Sequence, residues 1–166
     1  MLSDEEIAKL LAEVKLVPKN WRTKLQPKAK NSAFHKEREL KVQGAMGNKF
    51  ILFTRQNVGL ANDFTVGIRF VAESGTHYCL RRYNGNSHKH TNHLERLNGD
   101  EDHSFFGQFH IHYATERYLR KRKRIDGYAE TTDRFSSIES ALDLVVADGI
   151  IQIITGDDPD QTYLPW

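Results

Sequence analysis

The sequence predicts an α+β fold, in which an antiparallel sheet of four or more strands is flanked by two or three helices. Apolar and polar residues alternate through the middle of the chain, most clearly from Phe64 to Ala72, and this period of two is typical of strands. S-x-x-E boxes followed by apolar stripes begin at Ser3 and Ser136, so helices are predicted near both ends. With 166 residues, 39% hydrophobic and 28% charged, residues 1–166 have the size and composition of a single domain.

The N-terminal segment is predicted to be a helix followed by a basic connector, together residues 1–33. The helix should run from Ser3 to about Val17, because apolar residues recur on one helical face until Pro18 ends the pattern. From Lys15 to Asn31 the chain is rich in lysine and has no sustained period. This composition indicates a loosely structured segment.

Four strands are predicted in the middle of the chain, each bounded by turn-forming residues. Dense apolar side chains in the second strand suggest that it is buried on both faces. Short turns join the strands, so the sheet should be antiparallel. The predicted strands are Phe34–Gln43, Lys49–Gln56, Phe64–Ala72 and Thr76–Tyr83.

The last third of the chain is predicted to combine short elements with one clear helix. A histidine-rich loop leads to an extended piece around Phe105–Tyr113 and a helix from about Thr115 to Arg124. The S-x-x-E box at Ser136 begins the last helix, whose apolar stripe should pack on the sheet. Residues 150–154 are a candidate closing strand, and residues 157–166 are interpreted as a polar tail.

Composition excludes several classes of protein. The longest apolar run, residues 149–154, is far too short to span a bilayer, and the acidic N-terminus does not have the pattern of an export signal. Cys79 is the only cysteine, which excludes an intrachain disulfide and a cysteine-based zinc cluster. A cytoplasmic protein without a membrane partner is therefore predicted, and its oligomeric state is left open. The motifs G-x-x-x-x-G-K-S/T and G-x-S-x-G do not occur, which disfavours nucleotide hydrolysis and serine esterase chemistry.

Charge is distributed unevenly along the chain. Residues 1–125 carry a net charge of +10 and residues 126–166 a net charge of −8. Such asymmetry can mark a face for nucleic acid or another anionic ligand. It can also mean that the acidic C-terminal part docks on a basic surface of the same fold. Both explanations stay open at the level of sequence.

Six of the eight histidines lie between Tyr83 and Tyr118, which makes this segment the predicted chemical site. In a strand, His110 and His112 would point to the same face. Such a pair could ligate a metal, or could act as general base and general acid on a bound phosphodiester. The structural alternative is two partly exposed histidines that bond to the backbone. The six histidines are His88, His90, His93, His103, His110 and His112.

The loop histidines have the spacing H-x-H-x-x-H, beginning at His88. They could close a zinc site together with His110 or His112, because imidazole is a good zinc ligand. Lys89 places a positive charge inside this cluster, and no cysteine is available to complete a tight site. A site without a metal or another cofactor is therefore predicted.

A basic run, RYLRKRKR, extends from Arg117 to Arg124. Glu116 could orient an imidazole and Arg117 could clamp a phosphate, although a surface ion pair between Glu116 and Arg120 is an equal explanation. The run could contact phosphates, with Tyr118 stacking on a base, or could be a solvated helix face. Its later cations are Arg120, Lys121, Arg122, Lys123 and Arg124.

Three segments resemble signature blocks of an uncharacterised family of small bacterial proteins. RYNGNSHKHTNHLE, FHIHYATERY and DGYAETTDRF are similar to the family's blocks Y-N-x-x-S-H-x-H-T-N, H-I-H-x-A-T-E-R-Y and Y-A-E-x-T-D-R-Y/F, in the same order. The resemblance covers roughly residues 80–150. It does not imply a particular activity. It implies that one site contains His88, His90, Thr91, Asn92, Glu95, His110, His112, Glu116, Arg117 and Tyr118. We expect the histidine loop, the H-x-H segment and the following helix to meet in one cleft.

The leading functional hypothesis is nucleic-acid binding, extending to metal-independent cleavage of RNA. In that mechanism His110 and His112 would exchange protons with the 2′-hydroxyl and the leaving oxygen, while Arg117 and the cations of 120–124 would stabilise the phosphorane. One alternative is a non-catalytic interaction module of a mobile element or defence system, whose basic helix binds an acidic protein. Another is a histidine-ligated zinc protein. The further residues predicted to bind the ligand are His88, His90, Asn92 and Tyr118.

Overall fold

The computed structural model describes residues 1–29, 34–122 and 124–153. It has the α+β class that the sequence predicts. The helices in this part of the chain are α1 (Asp4–Ala12), α2 (Trp21–Leu25), α3 (His93–Asn98), α4 (Glu116–Arg122) and α5 (Ile138–Ala147). The strands are β1 (Leu16–Val17), β2 (Lys28–Ala29), β3 (His35–Gln43), β4 (Lys49–Asn57), β5 (Phe64–Val71), β6 (His77–Asn84), β7 (Lys89–Thr91), β8 (Ser104–Phe106), β9 (His110–Tyr113), β10 (Tyr128–Thr131) and β11 (Gln152–Ile153).

Seven strands form one antiparallel sheet in the order β10–β9–β6–β5–β4–β3–β2. The four strands predicted in the middle of the chain are β3 to β6, and their bounds agree with the prediction to within one residue at each end. β7 and β8 form a separate antiparallel hairpin. The predicted closing strand is β11, which pairs in parallel with β1 instead of joining the main sheet.

The register of the sheet gives it one apolar face and one polar face. Residues that pair directly across an antiparallel ladder point to the same side. Val66 of β5, Tyr83 of β6 and Ile111 of β9 are paired in succession and are buried. On the opposite face, Arg82 of β6 is paired with His112 of β9. The polar face of the sheet therefore carries the side chains that can bind a ligand or take part in a reaction.

The last helix, α5, packs with the apolar face of the sheet in the main core, as predicted. Its capping box is formed by Ser137 and Ser140, one residue later than the predicted box at Ser136. The difference arises because a serine hydroxyl at the third helical position can also accept the N–H of the cap residue. The buried residues of the helix are Ile138, Ala141, Leu142, Leu144 and Val145.

The N-terminal segment is more ordered than its composition indicates. α1 has the predicted capping box at Ser3, but it ends well before Pro18. The lysine-rich stretch is not a loose connector, because it contains β1 and α2, and Trp21 and Leu25 are buried in the main core. The hydroxyl of Thr54 donates to the carbonyl of Leu25 at 2.6 Å and ties α2 to β4. Two apolar anchors among many lysines are too few to produce a visible period.

The histidine-rich segment is also not a loop, since it contains β7, α3 and β8. The edge strand β10 is a further element that the sequence did not indicate, and it pairs with β9. Strands of three or four residues are too short for a period to be read. The helix expected from Thr115 to Arg124 is α4, which is shorter at both ends. Residues 30–33 of the predicted connector and the predicted tail at 157–166 lie outside the described residues.

None of the described helices has the length and apolar composition that a bilayer-spanning helix requires. The longest of them, α5, has 10 residues.

A single methyl group added at Gly67 is predicted to destabilise the sheet. A Cβ atom at this position would lie 2.5 Å from the ring of Phe53 and 2.9 Å from the carbonyl oxygen of Arg81. Gly67→Ala must therefore displace a buried ring or the backbone, and we expect the free energy of unfolding to fall by about 1–3 kcal/mol. Urea denaturation measures this change.

Gly59→Ala is the matched control, because the nearest atom to an added Cβ there, Oδ1 of Asn57, is 3.8 Å away. Its free energy of unfolding should stay within about 0.5 kcal/mol of the parent. If Gly67→Ala were as stable as Gly59→Ala, the close packing of Phe53 over β5 would be disproved.

Candidate functional site

Three histidines from two elements meet on the polar face of the sheet. His110 and His112 lie two residues apart on β9, and the β7–β8 hairpin places His90 against them. One ring nitrogen from each of the three lies within 4.8 Å of the others. His88 is adjacent, with its ring centroid 5.1 Å from that of His110. The fold thus gathers His88 and His90 with the H-x-H pair into one cluster, whereas His93 lies at the start of α3 and His103 contacts the carbonyl of Asp100.

Backbone carbonyls orient the two imidazoles of β9. Nδ1 of His110 lies 2.9 Å from the carbonyl oxygen of Gln108, and Nδ1 of His112 lies 2.8 Å from that of Asp126. A carbonyl oxygen can only accept, so Nδ1 of each ring carries the hydrogen. The lone pair of each ring is therefore on Nε2.

Asn92 connects the hairpin to the edge of the sheet and orients the third imidazole. Its Nδ2 donates to the carbonyl of Ala129, and its Oδ1 accepts from the Ala129 N–H, each at 2.8 Å. This double contact with β10 fixes the amide, so that Oδ1 also accepts from Nε2 of His90 at 3.0 Å. The lone pair of His90 is then on Nδ1. Asn92 precedes α3 but its side chain does not cap that helix.

Burial keeps the three imidazoles neutral at neutral pH. His110 is fully buried and His112 is 2% exposed. Burial lowers the pKa of His110 to about 4, and it also lowers the pKa of His112 and of His90. Within the described part of the chain, Nε2 of His110 is buried and has no hydrogen-bond partner.

This geometry does not suit the proton-exchange mechanism expected for the histidine pair. Acid–base cleavage of RNA requires one protonated and one neutral imidazole on opposite sides of a phosphate. The ring centroids of His110 and His112 are 5.1 Å apart, which leaves no room for a phosphate between them. Burial also lowers the pKa of both rings, so neither is present at neutral pH as the imidazolium that would donate the proton. The pair is better suited to accept a hydrogen bond or to ligate a metal.

A buried ion pair lies beside the cluster. Nε of Arg82 is 3.1 Å from Oδ2 of Asp126, and burial lowers the pKa of Arg82 while Asp126 opposes that shift. Nη2 of Arg82 lies 3.1 and 3.2 Å from the two ring nitrogens of His112. These nearly equal distances place Nη2 against the ring, in contact with Nε2 as well as with Nδ1. Sequence reasoning placed neither Arg82 nor Asp126 in the site, although each begins one of the segments that resemble the family's blocks.

A cationic cavity of about 470 Å³ opens beside the cluster. His90 and His112 form part of its wall, together with Tyr118. In the described chain no carboxylate lines it, so its potential is positive and favours anions. The remaining titratable residues of its lining are Arg82, His88, Lys89, His93, Arg122 and Arg124.

The basic run contributes only in part to this cavity. Arg122 and Arg124 line it, and Arg124 also pairs with Asp126 at 3.2 Å. Lys121 is exposed on α4 and lies outside the lining. Lys123 lies outside the described residues.

Glu116 and Arg117 also lie outside the lining and form ion pairs instead. Arg120 is 2.6 Å from Glu116, one helical turn away. Arg117 pairs with Glu95, which also accepts the hydroxyl of Tyr118 at 2.5 Å. These contacts fasten α3 to α4. Glu116 and Arg117 are thus partners in ion pairs, and the catalytic roles that the sequence suggested for them stay a prediction.

Both explanations of the uneven charge have support in the structure. Asp143 of α5 pairs with Arg22 at 2.6 Å, and Asp126 pairs with two arginines, so part of the acidic segment does dock on basic residues. Lys89 and Arg122, by contrast, form no ion pair with a described residue. Two cations of the cavity lining therefore have no carboxylate partner among the described residues.

No protein-family model, curated protein or solved structure matches this chain. The resemblance of three sequence blocks to a family of small bacterial proteins therefore stays a prediction. What the chain does must be inferred from the geometry of the site itself.

Asn92→Ala is predicted to destabilise the protein. The change leaves the N–H and the carbonyl of buried Ala129 without their partner, and each unsatisfied group costs about 1–3 kcal/mol. We expect the free energy of unfolding to fall by about 2–4 kcal/mol in urea denaturation. Asn98→Ala, an exposed change at the end of α3, serves as the control and should have an effect below about 0.5 kcal/mol. Equal stability of the two variants would show that Asn92 does not fasten the hairpin to β10.

Proposed function

We propose that the protein binds single-stranded RNA through the cationic cavity on the polar face of its sheet. The observation that carries this proposal is the composition of the lining, in which four Lys and Arg side chains and four histidines surround about 470 Å³. No carboxylate of the described residues lines the cavity, and of the four cations Arg82 and Arg124 pair with Asp126, whereas Lys89 and Arg122 form no such pair. Phosphate groups are the anions that such lysine and arginine clusters bind in nucleic acids.

Two further cavities adjoin the first at Arg82, which lines all three. One has a volume of about 360 Å³ and includes Arg55, His88 and the carboxylate of Asp63. The other, of about 270 Å³, is balanced by Glu37 and Glu39. Adjoining cavities suit a polymer with repeated phosphates better than a single phosphate, which supports nucleic acid as the ligand.

The shape and chemistry of the cavity favour a single strand of RNA. Individual nucleotides fit cavities of this size, whereas a double helix is too wide to enter them. Burial lowers the pKa of His88 and of His93, so both offer neutral imidazoles at the cavity wall. A neutral ring nitrogen can accept a hydrogen bond from the 2′-hydroxyl, a group that DNA lacks.

Arg122→Ala is predicted to weaken RNA binding. Loss of one phosphate contact should reduce affinity about five- to tenfold at low salt, and should reduce the slope of log affinity against log salt concentration by about 0.7. Fluorescence anisotropy of a labelled single-stranded RNA, titrated at several salt concentrations, measures both quantities. A DNA strand of the same sequence should bind more weakly.

Lys121→Ala is the matched control, because it removes the same charge from the neighbouring position of α4 outside the cavity. Its affinity for RNA should stay within about twofold of the parent. Equal losses in the two variants would indicate general attraction to the helix and would contradict binding in the cavity. Absence of RNA binding by the parent protein at low salt would reject the proposal.

A further inference from the structure

We infer that His90, His110 and His112 form a three-histidine centre for a divalent transition metal, for which zinc is the best match. The inference goes beyond RNA binding and does not depend on it. It begins with Nε2 of His110, which belongs to a fully buried residue and has no hydrogen-bond partner among residues 1–29, 34–122 and 124–153. A buried polar atom without a partner costs free energy, and native proteins keep few of them without a reason. A bound metal ion would satisfy this atom.

Each of the three rings has one nitrogen available for coordination. Backbone carbonyls accept from Nδ1 of His110 and of His112, and the Asn92 oxygen accepts from Nε2 of His90. The nitrogens that carry a lone pair are therefore Nε2, Nε2 and Nδ1, and Nε2 of His112 must give up its 3.2 Å contact with Nη2 of Arg82 to bind a metal. Histidines that ligate metals almost always donate their other N–H to a carbonyl or carboxylate, which fixes the tautomer and the direction of the lone pair. In all three rings the other N–H already donates to an oxygen acceptor.

The ligand atoms are close to the spacing that a metal requires. One nitrogen from each residue lies within 4.8 Å of the others. Zinc–nitrogen bonds of about 2.0–2.1 Å at tetrahedral angles place the nitrogens about 3.3 Å apart, so the largest separation must shorten by at most about 1.5 Å. β9 fixes His110 and His112, whereas the ring of His90 is half-buried on the hairpin. A small rotation of His90 would complete the arrangement.

The charges around the cluster are compatible with a divalent cation. Buried neutral imidazoles need not lose a proton on binding. The nearest cation, Arg82, is paired with Asp126 at 3.1 Å. Lys89, whose charge argued against a metal from the sequence, precedes His90 on β7, so the two side chains leave opposite sides of the strand.

The centre would open on the cationic cavity, because His90 and His112 form part of the cavity wall. Catalytic zinc sites have three protein ligands and a fourth position for water, whereas structural zinc sites have four protein ligands. Zinc held in this way lowers the pKa of its bound water to about 7.

Zinc titration of the untagged full-length protein tests the inference. After removal of metals with a chelator, the protein should take up one zinc per chain in isothermal titration calorimetry. At a zinc concentration 100 times the Kd, the melting temperature should rise by about 5–10 °C. Cobalt in place of zinc should give the visible absorption band of a tetrahedral site. If the parent protein bound less than about a tenth of an equivalent of zinc and its melting temperature did not change, the inference would be overturned.

His90→Ala and His77→Ala form a matched pair for the same titration. His90 is half-buried, so its removal should be tolerated by the fold, and it should weaken zinc binding by about 100-fold or more. His77 is exposed at the start of β6 and should leave binding unchanged. Equal weakening in both variants, or none in His90→Ala, would assign the zinc to adventitious surface histidines. Because the titration contains no RNA, its result is independent of the test of RNA binding.

Discussion

The ladder between β6 and β9 pairs Arg82 with His112, and this register determines both faces of the sheet. The neighbouring pair on the other face, Tyr83 and Ile111, is buried in the core together with α5. A one-residue slip of β6 would drive Arg82 into the apolar core, and a one-residue slip of β9 would turn its imidazoles away from the hairpin. The burial of ordinary apolar side chains therefore fixes the position of the histidine cluster.

Asp126 joins the cluster to the cationic cavity. Its backbone carbonyl accepts from Nδ1 of His112, and its carboxylate pairs with Arg82 and Arg124. One residue thus orients an imidazole and also balances part of the surrounding positive charge. Burial keeps the cluster neutral, while Lys89 at the cavity remains solvated. The site consequently places unprotonated nitrogen atoms at the wall of a cavity that attracts anions.

Sequence reasoning was successful where a pattern is long or a residue type is concentrated. β3 to β6 each have at least eight residues, long enough for a period of two, and the cap of α1 follows from Ser3. β7, β8 and β10 have three or four residues, which is too short for any period. The cluster histidines were predicted because the sequence concentrates them, but Arg82 reaches them only through strand register, and Asp126 reaches them from the turn before β10. Glu116 and Arg117 were included because they are close in sequence, and their actual partners lie on α3 and α4.

The histidine cluster depends on two imidazoles whose Nδ1–H groups donate to backbone carbonyls. The most direct test of this arrangement is ¹⁵N NMR of the metal-free protein at pH 7. The side-chain nitrogens of His110 and His112 should show the neutral tautomer with hydrogen on Nδ1, because Gln108 and Asp126 accept from that atom. Spectra with hydrogen on Nε2 of either ring, or with either ring as an imidazolium, would contradict the arrangement.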